Sequence, residues 1–534
     1  MRLYAFGSNG NGQLGIGSDK DNAIPQPTHF SSIPHHNDLH HDAPPFLDFA
    51  AGGNHTALIT RDEHQTLYMT GSNKDNETLL QQPVQIFTKV HPREFKREQS
   101  LEDGNKGIQK RQHRWRSVAC GWAFTIAVTE PEPTLDLEDT TNTTPRHGRV
   151  VPTSRLYAWG SGSFGELGLG STCTKTGPTA LEIKAGSWAR RLDEDDQIGT
   201  HMLDILKVRA GLRHVLLLTK EKIFKEGEEE PHRTRTVLMG WGSNRQGQLG
   251  VLERTSDRTV PLTEKDLRGK FMEPTRILIS NISTSSSTNK GDVDTMEVQH
   301  EIVDMACGQS HSLVLFSDGS VYSSGLNKYG QLGPSSSMIE TVDHPKQTKQ
   351  QDFRIGFEKV QGLPFVDSIS CGWNHNAAMD TRTLQGTGRT KIYLWGRNDH
   401  GQLGGGVPVM TVDPDLNGGS PVELGILQVR IPTATTATAG RYTEQDELEE
   451  IVSYSCGSEH TLAMTRSGDC YAWGWNEHGN CGSGAGDSNE DLKDVPTPRK
   501  VQFLETTSVN VSTATLAQGQ RWVAGGYGSS WVWT

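Results

Sequence analysis

The sequence has few cysteines, no long apolar run and no excess of basic residues, and each shortage excludes a class of protein. Seven cysteines among 534 residues are sparse and odd in number, which indicates reduced thiols rather than a disulfide scaffold. No apolar run approaches the ~18–20 residues that a membrane span needs. A formal net charge of −12 disfavours binding of phosphate backbones over the whole surface, although a local basic patch remains compatible with it.

The N-terminal sequence MRLYAFGSNG has no charged segment followed by an apolar stretch, so no secretory signal is predicted. Together with the reduced thiols, this favours a cytoplasmic protein. A basic cluster within a polar segment fits a weak nuclear signal and a solvated loop equally well, which leaves the nucleus open as a second location. Its members are Lys110, Arg111, Arg114 and Arg116.

Glycine, in contrast, is abundant: 58 of the 534 residues, about 11% against a usual level of roughly 7%. The surplus is periodic, because two short patterns alternate along the chain, seven times each. The first combines aromatic or apolar residues, Gly, Ser-Asn or a relative, and Gly-Gln-Leu-Gly; its copies start at Leu3, Leu67, Leu156, Val237, Val321, Ile392 and Cys470. The second has a small residue, Gly, two variable residues and His before an apolar run; its copies start at Ala51, Cys120, Ala210, Cys307, Cys371, Cys456 and Gly525.

Each copy contributes short runs rich in Val, Ile, Leu, Tyr and Trp, bounded by Gly and Asn, and such runs are typical of strands. Four strands per repeat, seven times over, indicate a β-propeller. We therefore predict an all-β fold: a single seven-bladed β-propeller of four-stranded blades. Because the chain begins inside one pattern at Leu3 and stops inside the other at Trp533, the N- and C-terminal strands are expected to close one shared blade.

One propeller domain is predicted over residues 1–534. Its blades are expected at residues 45–98, 113–185, 203–279, 300–360, 364–440, 448–505, and 518–534 closed with 1–35. Polar, biased segments cannot bury much apolar surface and are predicted to be long loop insertions. They lie at residues 91–114, 130–154, 220–236, 252–299, 336–358 and 406–447.

Two stretches, starting at Gly10 and Gly160, match the dinucleotide fingerprint GxGxxG literally. That mechanism requires a helix N-terminus after the glycines to hold the pyrophosphate. Turn sequences follow here instead, and Gly-Gln-Leu-Gly recurs where the earlier glycines are missing. Turn glycines are therefore favoured over a phosphate site. The structural repeat glycines are Gly7, Gly160, Gly242, Gly325, Gly396 and Gly474.

Histidine recurs at one position of the second pattern, before the apolar run. Equivalent positions lie on separate blades, so these side chains need not converge on one ion, and a buried imidazole bonded to loop backbone is the predicted role. Phe124 and Ser529 fill the same position in two repeats. The five histidines are His55, His214, His311, His375 and His460.

Cysteine recurs at a position where Ala51 and Ala210 also occur, which indicates a small buried residue rather than a thiolate ligand. A zinc site would need short CxxC pairs, and these are missing from the cluster formed by Cys456, Cys470 and Cys481 with His460 and His478. A nucleophile elbow, an HExxH motif and a P-loop are likewise missing from the sequence. We therefore predict no catalytic residue, no metal site and no cofactor.

Tryptophans that directly follow repeat glycines are better candidates for function. Aromatic residues flanked by polar groups are typical of protein interfaces, and packing between blades is the alternative role. The predicted partner-binding residues are Trp122, Trp373, Trp475, Asn476, Glu477 and His478.

The alternating GSNxxGQLG and CGxxHT patterns resemble the repeats of the regulator-of-chromosome-condensation superfamily, whose members are seven-bladed β-propellers. Three stretches are similar to one branch of it, which includes the fungal alpha-tubulin suppressor (the Elongator-associated killer-toxin-insensitivity propeller) and the animal secretion-regulating guanine nucleotide exchange factor-like protein. They are VACGWAFTI from Val118, RAGLRH from Arg209, and SCGSEHTLAM with YAWGWNEHGNCG from Ser455 and Tyr471.

The resemblance implies two functions of different class. The first is a non-catalytic interaction platform that partners a small CSL-type zinc protein in diphthamide biosynthesis and in Elongator-dependent modification of the tRNA wobble uridine. The second is a guanine nucleotide exchange factor for a small GTPase. The founding chromatin regulator has a basic N-terminal tail, whereas this sequence starts in a strand at Leu3, so direct DNA or chromatin binding is not expected. We expect a monomeric propeller with no membrane partner.

Overall fold

A computed structural model describes most blade strands of the chain. The described residues are 2–31, 45–91, 113–131, 150–184, 200–224, 230–253, 267–279, 300–334, 352–381, 390–405, 407–411, 422–429, 431, 449–482, 492–503 and 522–534. Within these ranges the regular elements are β-strands. No helix formed by these residues has the length and apolarity that a membrane crossing requires.

The strands follow one another through the whole described chain. The first ten are β1 (Leu3–Gly7), β2 (Asn22–Pro27), β3 (Phe46–Ala51), β4 (His55–Thr60), β5 (Leu67–Gly71), β6 (Val84–Lys89), β7 (Trp115–Cys120), β8 (Phe124–Thr129), β9 (Val150–Pro152) and β10 (Leu156–Gly160). The next ten are β11 (Leu181–Glu182), β12 (Thr200–Ala210), β13 (His214–Phe224), β14 (Arg233–Ser243), β15 (Val251–Leu252), β16 (Lys270–Leu278), β17 (Ile302–Cys307), β18 (His311–Phe316), β19 (Val321–Leu326) and β20 (Phe353–Lys359). The remainder are β21 (Ser368–Cys371), β22 (His375–Asp380), β23 (Lys391–Gly396), β24 (Val407–Thr411), β25 (Val422–Val429), β26 (Ile451–Cys456), β27 (His460–Thr465), β28 (Cys470–Gly474), β29 (Val495–Lys500), β30 (Trp522–Gly525) and β31 (Ser529–Trp533).

These strands form seven sheets, which confirms the predicted seven-bladed β-propeller. Blade 1 is β3–β6, blade 2 is β7, β8, β10 and β11, blade 4 is β17–β20 and blade 6 is β26–β29. Blade 3 is β12, β13, β14 and β16 with β9 and β15 added at its edges, and blade 5 is β21, β22, β23 and β25 with β24 added. The blade strands pair antiparallel, whereas the added β9 pairs parallel with β12.

Both ends of the sequence contribute to blade 7, in the order β2-β1-β31-β30. Leu3 pairs with Trp533 and Gly7 with Ser529, and the side chains of Trp531 and Trp533 are buried. The predicted closure is confirmed: a sheet edge that would otherwise be exposed is paired within the ring.

The apolar core lies between neighbouring blades rather than at one centre. Trp159 of blade 2 packs with Met69 of blade 1, and Leu3 of blade 7 packs with Leu58 of blade 1. Because each blade is covered on both faces, its second strand is buried along its length, as in β4, β8, β18 and β27. This explains the short continuous apolar runs that follow the repeat histidines.

Strands occupy parts of five ranges expected to be loop insertions, the first being 130–154, which contains β9. The paired strands β13 and β14 reach Ile223 and Arg233, so residues 220–224 and 233–236 lengthen a hairpin. β16 lies within 252–299, β20 overlaps 336–358, and β24 and β25 lie within 406–447. The polar composition of this segment did not predict a hairpin, because the charged side chains of its two strands pair with each other. The Arg235 side chain donates to Glu221, which is fully buried, over 2.7 Å. The rest of the expected insertions lies largely outside the described residues.

The repeat histidines join each blade to the next. Nε2 of His55 lies 2.9 Å from Oγ1 of Thr125, whose hydroxyl donates to the Glu77 carbonyl at 2.8 Å. Because that hydroxyl proton is already used, the network assigns the ring proton to Nε2, which donates. Four further pairs repeat the contact: His214–Ser312 (3.0 Å), His311–Asn376 (2.7 Å), His375–Thr461 (3.1 Å) and His460–Ser530 (2.9 Å).

The same carbonyl connects the two sequence patterns. Trp159 Nε1 donates to the Glu77 carbonyl at 2.9 Å, so one backbone oxygen accepts from the second pattern through Thr125 and from the first through Trp159. Trp395 and Trp473 donate in the same way to the carbonyls of Gln331 and Gln402. The two patterns therefore recur together because each supplies half of one buried hydrogen-bonded network.

The predicted turn glycines stand where the third strand of a blade ends. All six have φ between +97° and +120°, the region that side chains with a Cβ disfavour. At Gly160 a Cβ would also lie 2.4 Å from the Ala123 carbonyl oxygen. The two GxGxxG stretches lie in turns that lead to strands rather than helices, so the phosphate-binding geometry of a helix N-terminus is missing from both.

Candidate protein-interaction face

One face of the propeller is built from two kinds of turn. Inner turns connect the first and second strands of each blade, and outer loops follow each third strand; we call this side the turn face. In every blade the residue after the third-strand glycine donates its N–H to a carbonyl of the inner turn, over 2.7–2.9 Å. The pairs are Ser8–Gly528, Ser72–Asn54, Ser161–Ala123, Ser243–Arg213, Leu326–Ser310, Arg397–Asn374 and Trp475–Glu459.

The inner turns are also bonded to one another around the propeller axis. Trp373 N donates to the Ser458 carbonyl at 2.8 Å, and Ser458 N donates to the Gly526 carbonyl at 2.8 Å. Gly53 N donates to the Gly121 carbonyl at 3.1 Å. Side chains carried by these turns are thus held on a rigid ring, which lowers the entropy lost when a partner binds.

Three aromatic side chains from separate inner turns meet at the centre of the turn face. The ring centroid of Tyr527 lies 5.5 Å from that of Trp373 and 6.1 Å from that of Trp122, edge to face in both cases. Trp122 is 45% exposed, whereas Trp373 and Tyr527 are half-buried. We call these three residues the aromatic cluster. An exposed indole that packs against the Tyr527 ring, which Trp373 contacts in turn, has the composition of an interface hot spot.

Trp475 lies on the turn face beside the aromatic cluster. A Cβ at Gly528, next to Tyr527, would be 3.4 Å from Cζ3 of Trp475. The His478 ring meets the indole edge to face at 5.2 Å, and His478 Nδ1 lies 2.7 Å from Oδ2 of Asp21 in blade 7. Trp475 is half-buried and Glu477 is exposed. Trp475, Glu477 and His478 therefore extend the aromatic cluster towards the blade 6 edge of the face.

Asn476 does not lie at the surface that the sequence predicted for it. Its side chain is fully buried, and Oδ1 accepts the Cys481 N–H at 2.9 Å while Nδ2 donates to the Lys493 carbonyl at 3.2 Å. Asn9 and Asn244 make the same bond to the N–H five residues on. Asn476 is a repeat residue that satisfies backbone groups of the outer loop, a local role for which asparagine is well suited.

The inner strands enclose a cavity of ≈ 160 Å³ under the aromatic cluster. Four repeat cysteines line it, together with Arg209. Nη1 of Arg209 lies 3.3 Å from Oδ2 of Asp48, which gives the half-buried carboxylate a counter-charge. Burial raises the pKa of Cys120, Cys307 and Cys456 to about 12 and that of Cys371 well above its usual value. These thiols stay protonated near neutral pH, as poor metal ligands and nucleophiles do.

A second cluster of ionisable groups, on the turn face between blades 5 and 6, has metal-ligand chemistry but is already occupied by an arginine. Ligand atoms of Asp399, His400 and Glu459 lie within 4.8 Å of one another. The Arg397 guanidinium bonds to Asp399 and to Glu459, and His400 Nε2 lies 3.1 Å from Glu459 Oε2. The Arg397 guanidinium thus compensates both carboxylates, so this cluster is a charge network that fixes the outer loop to the inner turn.

The sequence interpretation missed Tyr527, although the repeat contains the signal for it. Ser529 fills the histidine position of its copy, and Tyr527 stands two residues before it, as Trp373 stands before His375. Aligning the seven inner turns therefore places Tyr527 in the same position as Trp122 and Trp373. Its contact with both follows only from the arrangement of blades 2, 5 and 7 around the axis.

Comparisons with known proteins agree with this architecture. Residues 146–524 match the RCC1-like domain family, and residues 2–59 match the regulator of chromosome condensation (RCC1) repeat. The solved structure of Prp20p from Saccharomyces cerevisiae is similar over 99% of this chain and 90% of that one, with a TM-score of 0.56 and 18% identity. This last likeness is one of fold.

Two curated relatives are similar over most of the chain. The secretion-regulating guanine nucleotide exchange factor of Mus musculus is 28% identical over 506 residues, which cover 94% of this chain and 79% of that protein. The ultraviolet-B receptor UVR8 of Arabidopsis thaliana is 25% identical over 484 residues, which cover 90% of this chain and 74% of that protein. Proteins of different function thus share these repeats, and function must be argued from the sites.

Proposed function

The chain belongs to the RCC1-like domain family, and from this premise we propose that it is a non-catalytic platform that binds a protein partner through the turn face. The observation that supports this most directly is the aromatic cluster: Trp122 is 45% exposed and rests on a hydrogen-bonded ring of inner turns. A large apolar side chain held in one position contributes binding free energy without a large ordering cost.

The ionisable groups around the propeller axis favour binding over chemistry. Burial lowers the pKa of His55, His311 and His460 to about 4 and that of His214 and His375 to about 3. These imidazoles are neutral near pH 7 and are fully buried. General acid–base catalysis requires a group that titrates near the working pH and reaches its substrate, and these five side chains meet neither requirement.

The partner that the repeat resemblance implies is a CSL-type zinc protein, acting in diphthamide biosynthesis and Elongator-dependent modification of the tRNA wobble uridine. We propose that this protein contacts the aromatic cluster and the neighbouring Trp475 and His478. Half-buried aromatic rings edged by a hydrogen-bonded polar pair such as His478–Asp21 suit an interface with an apolar centre and a polar rim.

A pull-down with the purified zinc protein tests this proposal. Trp122→Ala is expected to lose capture, whereas wild type retains it. Val303→Ala is the matched control, because Val303 is 47% exposed at the start of β17, towards the face opposite the turns. Equal capture by wild type and both variants would remove the aromatic cluster from the interface.

Guanine nucleotide exchange on a small GTPase is the second candidate function. It is favoured by the 28% identity, over 94% of this chain, with the mouse protein named as a secretion-regulating exchange factor. Release of fluorescent GDP from Ran-type GTPases measures this activity directly. We expect the purified chain to leave the release rate unchanged. Accelerated release together with failure to bind the zinc protein would reverse the order of the two functions.

A further inference from the structure

Three cations from blade 3 surround one aromatic ring at another point of the turn face. Relative to the ring centroid of Phe164, Cζ of Arg213 lies at 4.3 Å, Nζ of Lys270 at 4.6 Å and Cζ of Arg245 at 5.0 Å. Phe164 belongs to the outer loop of blade 2, Arg213 to the inner turn of blade 3 and Arg245 to its outer loop. We call Arg213, Arg245 and Lys270 the cation cluster.

Carboxylates of the described chain do not neutralise the cation cluster. Arg213 and Arg245 form no salt bridge within the described residues, and Lys270 Nζ donates to the Ser163 carbonyl at 2.9 Å. Glu166 interacts electrostatically with Arg213 and Lys270, but it is 4% exposed and its Oε2 accepts the Phe164 N–H at 2.6 Å. Burial raises the pKa of Glu166. This one enclosed carboxyl group faces three cations.

The cations themselves are exposed, on a chain whose formal net charge is −12. Collecting like charges is unfavourable, and the Phe164 ring offsets part of that cost by cation–π attraction to the three cations. The fork of N–H donors on a guanidinium group matches the two oxygens of a carboxylate. The arrangement is therefore preorganised for anionic groups that arrive from solvent.

We infer that the cation cluster binds a carboxylate-rich segment of the protein partner that occupies the turn face. This inference rests on the proposed function, because it assigns a second contact to the same partner on the same face. A protein segment fits better than a nucleic acid for two reasons. The guanidinium groups cover the Phe164 ring and leave no free ring for base stacking, and three cations on an acidic chain neutralise few phosphates.

Fluorescence anisotropy with a fluorescein-labelled peptide of alternating Asp and Gly tests the inference on the full chain. The double variant Arg213→Glu/Arg245→Glu is expected to bind the peptide at least about tenfold more weakly than wild type, because two charge-assisted contacts become repulsive. The matched control is Arg61→Glu/Arg233→Glu, which makes the same charge change at exposed positions of the opposite side. The control is expected to keep wild-type affinity, and added salt to weaken wild-type binding.

Equal loss in both double variants would overturn the inference, because net charge alone would then explain the binding. A labelled single-stranded deoxyadenosine oligomer provides the other arm. If it binds more tightly than the peptide and the Arg213/Arg245 variant loses it, the ligand is a nucleic acid and the inference is wrong.

Trp122→Ala separates this inference from the proposed function, because it leaves the cation cluster intact and is expected to bind the peptide like wild type. Absence of peptide binding, with partner capture still lost in Trp122→Ala, would overturn the inference and leave the proposed function standing. Peptide binding that depends on Arg213 and Arg245, with partner capture unchanged in Trp122→Ala, would support the inference and contradict the assigned role of the aromatic cluster.

Discussion

The imidazole of His55 donates through Nε2 to the Thr125 hydroxyl 2.9 Å away, and this bond links the second strand of blade 1 to that of blade 2. Its equivalents recur between four further pairs of neighbouring blades. The ring of blades is thus stabilised by buried hydrogen bonds as well as by apolar packing. Each contribution predicts how the free energy of unfolding changes when a residue is replaced.

Removing one of these bonds is expected to destabilise the fold. His311→Ala leaves Asn376 Oδ1, which His311 Nε2 contacts at 2.7 Å, buried without that donor, and should lower the free energy of unfolding by about 2–4 kcal/mol. Urea unfolding followed by tryptophan fluorescence measures the change. His64→Ala is the control, because its side chain is 66% exposed and should change stability by less than about 0.5 kcal/mol. Similar losses in both variants would refute a specific role for the interblade bond.

The buried histidines also predict how stability depends on pH. Their pKa is lowered by burial from 6.5 to about 4 for His55, His311 and His460 and about 3 for His214 and His375. The unfolded chain therefore binds more protons, so the stabilisation is complete above pH 6.5 and is lost as the pH falls towards 4. Each histidine contributes up to about 1.4 kcal/mol per pH unit in that window. Unfolding free energies between about pH 6.5 and 5, above the usual carboxylate range, measure this effect; a flat profile there contradicts it.

A repeat glycine should tolerate no side chain. Gly160 has φ +103°, and a Cβ there would lie 2.4 Å from the Ala123 carbonyl oxygen; Gly160→Ala is therefore expected to cost about 2–4 kcal/mol. Gly177→Ala is the matched control, since a Cβ at that position meets no atom within 4 Å. The control should be neutral or slightly stabilising because alanine restricts the unfolded chain. Differential scanning calorimetry of the two variants decides the point, and equal melting temperatures would show that backbone conformation is not limiting here.

Two tryptophans at the end of β28 should separate folding from binding. Trp473 is fully buried and its Nε1 donates to the Gln402 carbonyl at 3.0 Å, so Trp473→Ala should cost about 3–5 kcal/mol of stability. Trp475 is half-buried on the turn face, and Trp475→Ala should weaken partner binding by about 1–3 kcal/mol with little loss of folding. Titration calorimetry and thermal melts measure both quantities; a collapse of stability in Trp475→Ala would identify it as a core residue.

The repeat made the fold predictable from sequence. Seven copies of two coupled patterns required seven equivalent units, and the positions of Leu3 and Trp533 required that the ends share a blade. The structural glycines were predictable for the same reason, because a backbone conformation with positive φ restricts the residue type locally. The loop insertions were less predictable: polar residues such as Glu221 and Arg235 satisfy one another across a lengthened hairpin, which composition does not reveal.

The candidate site depended more on tertiary structure. Asn476 and Trp475 are adjacent in sequence, yet the fold buries one in an outer loop and leaves the other at the surface, since side-chain direction is set by the turn that carries it. Tyr527 joins Trp122 and Trp373 because blades 2, 5 and 7 direct their inner turns to the same axis. Cζ of Arg213 lies 4.3 Å from the ring centroid of Phe164, although the two residues are 49 positions apart in the sequence.

The sequence by itself therefore determined the number of blades, their closure and the residues that hold them, because these follow from local conformation repeated at intervals. Only the tertiary structure decided which of the non-repeating side chains become neighbours. That depends on how the blades pack around the axis, and packing brings together segments whose separation along the chain carries no signal.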